Sequence, residues 1–272
     1  MIQEAIDFKA ESQALHALLA PLNAADYDRP TGFKDWTINH ILAHLHFFNR
    51  LADLTLTDES AFNLAYKEYK SLSEQPGATM RSVTDQLLNQ LRGPALLTAW
   101  QDYIETMTPT WAAADPKQRL PWVGPTMSAR SSITARLMET WAHAHAIYDL
   151  LGVQREEHDR IRSVAVIGVN TFGWTHVNRN LPVPQEPPHI CLTAPSGEIW
   201  RWNPESSTCR IEGDAVEFCQ VVTQVRNVAD TRLQVTGEVA SRWMAMAQCF
   251  AGPPEDPPAP GTRHAQTRGA NS

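Results

Sequence analysis

Apolar residues recur at helical spacing through the first half of the chain. Residues 3–20 set Ala5, Phe8, Leu15, Leu18 and Leu19 on one stripe that ends before Pro21, which predicts a first helix. A polar loop with Pro30 and Gly32 follows, and Asp35 or Thr37 is placed to cap a second helix carrying Ile38, Ile41, Leu42, Leu45 and Phe48. Helices are expected over about 58–75 and 80–112, the latter long. Pro116 and the segment 121–125 interrupt the pattern. A serine-rich stretch, Ser128 to Ser132, then leads into a strong helix over 131–151, closed by Gly152. Residues 156–178 read as another helix.

After residue 178 the period changes. The run NRNLPVPQEPP is too proline-rich to be helical throughout. HICLTAP and GEIWRWN alternate apolar and polar positions across a Pro-Ser-Gly turn, as a hairpin would, and STCRIEG reads as a third strand. Helices are expected from Asp214, with Val216, Phe218, Cys219 and Val222 inside, and over RWMAMAQCFAG. From Pro253 the chain is rich in Pro, Gly and polar residues, the composition of a disordered tail. The pattern therefore predicts a mainly α protein: a helical bundle over 1–178, a small α+β module over 179–252, and a tail over 253–272.

Composition narrows the function classes. The 272 residues are 43% hydrophobic and 19% charged, ordinary for a folded chain, with a formal net charge of −7. No basic run exists to neutralise phosphates, which argues against a nucleic-acid partner. A small acidic ligand needs only one or two local arginines and stays open. The first fifteen residues lack a signal peptide's basic and apolar regions, and no stretch approaches a membrane span. Cys191, Cys209, Cys219 and Cys249 are widely spaced without a CxxC pair, which fits reduced thiols and a cytoplasmic location.

The candidate chemistry sits on two predicted helices. Glu139 and His143 are four apart, one turn along the same face, and form a ready pair of metal ligands. His145, two residues on, is turned about 200° away by the 3.6-residue period. On the 37–49 helix, His40 and His44 share a face that His46 does not. His44 lies among Leu42, Ala43 and Leu45, so it is expected deep in the bundle. An isolated histidine on an apolar face is more often a satisfied core residue than a ligand. His44 with Glu139 and His143, by contrast, would supply three ligands from facing helices and leave a position open, as catalytic rather than structural sites do. Arg136, three residues before Glu139, is expected to pair with that carboxylate, or else to anchor an anionic substrate. Trp141 reads as core, with pocket lining as its second role. Arg179, after the Trp174–His176 stretch, is a further substrate-binding candidate. Phosphate loops, GxSxG elbows and paired catalytic carboxylates are absent.

The segment DWTINHILAHL, from Asp35 to Leu45, resembles the N-terminal metal-binding domain of the mycothiol-dependent maleylpyruvate isomerase family, within the DinB-like superfamily. Its first metal histidine falls on His44. Met138 to His143, METWAH, resembles the second metal motif, with Glu139 and His143 as ligands. The segments GVNTFGWTHVNRNLP, LTAPSGEIWRW, VVTQVRNVADT and WMAMAQCFAGPP are similar to a narrower set of uncharacterised bacterial metal-binding proteins. Two positions depart from the family pattern. Ala146 stands where an Asp often follows the second metal histidine, and His40 stands where an Asp is often found; the first removes a potential second-layer partner and the second could compensate for it. The resemblance implies a DinB-like four-helix bundle and one divalent ion, zinc by preference. It also implies a low-molecular-weight thiol such as mycothiol or glutathione, and an isomerase or thiol transferase acting on a small anionic molecule. The alternatives are a hydrolase or hydratase using metal-acidified water, and a ligand-binding protein without chemistry. A role in tRNA modification, attached to some proteins similar to the C-terminal segments, conflicts with the acidic charge. Monomer and homodimer are both open.

Overall fold

The computed structural model describes residues 1–124 and 126–264. The chain divides into two compact units, Met1–Ala144 and His145–Ser272, so the division falls within a helix rather than near residue 178.

The first unit is built from helices α1 (Gln3–Leu19), α2 (Ile38–Thr57), α3 (Glu59–Ser73), α4 (Met80–Leu87) and α5 (Gly93–Ala113), with the first part of α6 (Ala129–Leu151). A two-stranded ribbon, β1 (Arg119–Leu120) against β2 (Met127–Ser128), precedes α6; these strands are too short to leave a sequence pattern. α2 is the central element. It packs against α3, α4 and α5, and all its residues from Ile41 to Asn49 are buried. A helix covered on so many sides has few positions where a polar side chain can meet water. Its start is fixed by Thr37 rather than Asp35. The Thr37 hydroxyl accepts from the His40 backbone N–H at 3.3 Å, and His40 Nδ1 accepts from the Thr37 N–H at 3.0 Å. This is a capping box in which an imidazole takes the usual Glu or Gln position.

The expected helix over 80–112 is two helices. The break at residues 88–92 contains Asn89 and Gln90 with φ of 53° and 58°, a left-handed turn that asparagine tolerates better than most residues. The helix expected over 156–178 likewise divides into α7 (Arg162–Asn170) and α8 (Phe172–Asn178). Gly152, at φ 60°, ends α6 as expected; its N–H bonds Asp149 O and the Val153 N–H bonds Tyr148 O.

The second unit contains β3 (His189–Thr193), β4 (Ile199–Trp202), β5 (Arg210–Asp214) and β6 (Gln234–Thr236) in the order β4-β3-β5-β6. The hairpin β3–β4 and the pair β5–β6 are antiparallel, and β3–β5 is parallel. Alternation along β3 and β4 puts Ile190, Leu192 and Trp200 inside, next in kind to buried Ile211, Phe218 and Trp243. Asp214 caps α9 (Ala215–Val222), its carboxylate accepting from Val216 N–H at 2.7 Å. α9 comes close to α7 because Gly168 has no side chain: a Cβ there would lie 2.7 Å from Val222 Cγ2. The last helix, α10 (Glu238–Met244), is earlier and shorter than the pattern suggested. No helix among the described residues is long and apolar enough to cross a membrane.

The segment expected to be a disordered tail is, as far as His264, bound to the rest of this unit; residues 265–272 lie outside the described ones. Buried Gln224 donates to Glu255 O at 2.7 Å, and buried Gln248 donates to Pro253 O at 3.0 Å while accepting from Glu255 N–H at 2.9 Å. Asn227 donates to Pro258 O at 2.8 Å, and Asp230 accepts from the Gly261 N–H. Composition suggests disorder because the strap buries little apolar surface. What holds it is a set of amide side chains on the body of the unit, which a hydrophobicity pattern does not register.

Truncation after Gly252 would strand Gln224 and Gln248 without these partners, at about 1–3 kcal/mol for each buried group left unsatisfied. The truncated chain is expected to melt several degrees lower and to show faster amide exchange around residues 224 and 248. Unchanged melting would show that the strap contributes nothing.

Candidate metal centre

α2 and α6 bring His44, Glu139 and His143 together within the first unit. His44 Nε2 lies 3.1 Å from Glu139 Oε2, and His143 Nε2 lies 3.2 Å from the same oxygen. One ligand atom from each residue falls within 4.8 Å of the others. Two imidazole nitrogens converging on one carboxylate oxygen at these separations suit a shared ion, since ligands about 2 Å from a tetrahedral centre stand a little over 3 Å apart. The side chains are 9%, 20% and 12% exposed in the order His44, Glu139, His143, so the cluster opens on the carboxylate side.

Aromatic rings fix the two imidazoles. Trp36 stacks on His143 with an interplanar angle of 6°, and Phe33 meets His143 edge-on at 5.0 Å between centroids. Phe48 lies 4.9 Å from His44, and Trp36 contacts His44 as well. Metal-bound histidines usually donate their second N–H to an oxygen. Here His44 Nδ1 is buried without a partner. Phe33 and Trp36 come from the loop before α2, folded back by the Trp36 N–H bonding Phe33 O and the Thr31 N–H bonding Trp36 O, both at 2.8 Å. Between them Lys34 and Asp35 adopt φ of 51° and 55°, consecutive left-handed residues of the sort found where a site demands a particular loop shape. From sequence this loop reads as a polar connector, with Trp36 entering only through the DWTINHILAHL resemblance; the two aromatics of GFKDW are too brief a pattern to mark a wall.

Electrostatics favours the state that binds a cation. Burial lowers His44 to about 4, which keeps the imidazole neutral although the bond to Glu139 works the other way. Burial alone would raise the Glu139 carboxyl; hydrogen bonds from His143 and His44 outweigh it and hold it well below the usual range. A neutral imidazole beside an ionised carboxylate is the protonation state a divalent ion requires.

The other candidates are placed differently. Arg136 is buried one turn before Glu139, its guanidinium 5.4 Å from the Trp122 ring and 5.9 Å from Phe48, with no ion pair to Glu139. His40 is engaged in the helix cap and faces Asp85 at 3.8 Å, so it does not stand in for a missing partner of the triad. Trp141 is fully buried core. Arg179 belongs to the second unit, where it pairs with Asp256 at 2.9 Å and with the Glu255 carbonyl. His145, also in the second unit, lies 3.6 Å from Glu157. All four cysteines are free thiols, and burial raises the Cys219 thiol well above its ordinary value, which disqualifies it as a nucleophile.

The family follows from comparison with known proteins. The sequence profile of the mycothiol maleylpyruvate isomerase N-terminal domain matches residues 8–148, just over half of the chain. An uncharacterised protein of Mycobacterium tuberculosis, found in two strains, is 39% identical over 251 residues, 91% of this chain and 95% of the relative. Among solved structures, the mycothiol-dependent maleylpyruvate isomerase superposes with a TM-score of 0.52 at 13% identity, covering 80% of this chain and 87% of that one. A mutant of the same enzyme gives 0.51. At that identity the likeness shows the fold alone.

The depressed imidazoles carry a pH dependence. Burial also lowers His46, edge-on to Tyr103, to about 4. Between pH 6.5 and 4 the unfolded chain protonates these histidines and the folded chain does not, so stability present above pH 6.5 is lost as pH falls towards 4. Each contributes on the order of 3 kcal/mol, at about 1.4 kcal/mol per pH unit. Thermal melts of metal-free protein should fall steeply across that interval, and His46→Phe should flatten part of the fall. A profile of His46→Phe parallel to that of the parent would refute the assignment.

Proposed function

The chain belongs to the family of the mycothiol maleylpyruvate isomerase N-terminal domain, and we propose from that premise that it is a metal-dependent enzyme using a low-molecular-weight thiol. The proposed reaction is isomerisation of, or thiol transfer to, a small anionic organic molecule. One observation carries the reading: two imidazoles from different helices meet one carboxylate oxygen in a cluster that stays open on one side.

His44, Glu139 and His143 would hold the ion, zinc first among the candidates because nitrogen and oxygen donors in this number suit a borderline cation. When bound, such an ion acidifies a thiol or a water in its open position at neutral pH. The chain's own residues prepare that position. Trp36, Phe33 and Phe48 pack on the imidazoles of His143 and His44 and would hold them towards it. Glu139, the most exposed of the three, marks the side from which thiol and substrate would enter. Mycothiol is the thiol named for the solved relative; glutathione fits the same chemical role.

Removing any one ligand should lower metal affinity by more than the roughly 10–100-fold that attends loss of an outer partner. Elemental analysis of His44→Ala, Glu139→Ala and His143→Ala is expected to show little bound zinc. His40→Gln, which preserves the capping box, should retain it. Full zinc content in the His44 variant would end the assignment. To separate thiol from water chemistry, cobalt-substituted protein is titrated with mycothiol or glutathione. A new sulfur-to-metal band is expected. An unchanged spectrum, with turnover that needs no thiol, would favour hydrolysis instead.

A further inference from the structure

Arg136 has an environment that stability alone does not explain. It is 5% exposed, lies one turn before Glu139 on the ligand face of α6, and is bracketed by Trp122 and Phe48. Its Nη1 is buried without a hydrogen-bond partner, and no carboxylate among the described residues forms an ion pair with it. Elsewhere in the same unit a buried charge is treated otherwise: Asp85 is met by Arg92 at 2.7 Å. The ionised Glu139 attracts the guanidinium from a distance but does not meet it directly, and arginine almost never occurs inside unless paired. The two aromatic rings supply some cation–π attraction but leave Nη1 unanswered. Those donors form a planar fork matched to a planar anion. Phe48 touches both Arg136 and His44, so the fork and the metal cluster share a wall.

We propose that Arg136 is the carboxylate-receiving residue of this site: its counter-ion is a carboxylate of the substrate, oriented by the fork towards the position next to Glu139. The proposal rests on the metal-site reading for the reaction it serves, but not for the binding it predicts. Arg136 is in this sense a substrate-positioning and specificity-determining residue that favours small monoanions and dianions over their uncharged esters.

The test uses the full chain, zinc-loaded and zinc-stripped, titrated calorimetrically with maleate and with dimethyl maleate as the uncharged control. The parent is expected to bind maleate in both metal states and to bind the ester at least tenfold more weakly. Arg136→Met should weaken maleate binding at least tenfold, keep its zinc content, and melt at a higher temperature, because neutralising a buried unpaired charge relieves the folded state. A purely structural arginine would give the opposite thermal shift. Maleate binding by Arg136→Met within twofold of the parent, or a parent that does not distinguish maleate from its ester, overturns the proposal. If Arg136→Met does not fold, Arg136→Lys is read instead: weaker maleate binding supports the fork, and undiminished binding overturns it. Loss of zinc binding with Arg136-dependent maleate binding intact would sink the metal reading and leave this one standing. Zinc binding without any maleate binding would do the reverse.

Discussion

The meeting of His44 and His143 at a single oxygen of Glu139 sets the terms for the rest of the first unit. Two of the three groups lie on one helix and the third on another, so their separation of about 3 Å ties α2 to α6 far more tightly than apolar packing alone requires. Side chains that merely pack can slide by an ångström at small cost; three groups converging on one point cannot. The Thr37–His40 capping box, which fixes where α2 begins, and the buried surroundings of α2, which fix its rotation, become conditions for the cluster. Its rings then need walls, because no polar partner reaches His44 Nδ1. The strained turn at Lys34 and Asp35 delivers those walls by carrying Phe33 and Trp36 to the imidazoles.

The same region accepts groups that a core built only for stability would exclude. Arg136 Nη1, His46 Nδ1 and both polar atoms of the Asn49 amide are buried without hydrogen-bond partners. Each such group subtracts from a net stability that is small to begin with. In the second unit the polar interior is used differently. Gln224 and Gln248 are almost completely buried and hold the strap through backbone bonds. There buried amides join one segment to another, although His176 Nε2 and Trp200 Nε1 of that unit are also buried without hydrogen-bond partners.

Much of this was legible along the chain, and the parts that were not share a cause. The helical period located α1, α2, α3 and α6, and the change of period after residue 178 located the β3–β4 hairpin, because each depends on which face is buried. The four-residue spacing of Glu139 and His143 placed them on one face, and His44 stood among apolar neighbours that fixed it inside. What the pattern did not carry were features set by single backbone angles or by isolated polar contacts. The turn at Asn89 and Gln90 divides a helix whose apolar stripe reads as continuous. The strap is held by amides. The expected bond between Arg136 and Glu139 followed from spacing, but the aromatic slot of Trp122 and Phe48 draws the guanidinium elsewhere.

Three histidines on one helix show why residue type alone could not assign the site. His40, on the first turn, still has a backbone N–H within reach; its Nδ1 becomes an acceptor in the cap, and Asp85 lies beyond its other nitrogen. One turn on, His44 shares that face but is covered; the Glu139 carboxylate and the His143 ring, both from α6, are its polar neighbours, and neutrality beside that carboxylate suits it to the proposed ion. His46 is turned away towards Tyr103, has an unpartnered Nδ1, and is neutral for want of any group to share a proton. Burial depresses all three; α4 brings Asp85 to 3.8 Å from His40, but at His44 the carboxylate from α6 comes to 3.1 Å and is shared with a second imidazole. The proposed chemistry is therefore a property of where α6 crosses α2, and a histidine displaced by two residues along the same buried helix becomes a cost to folding instead of a candidate ligand.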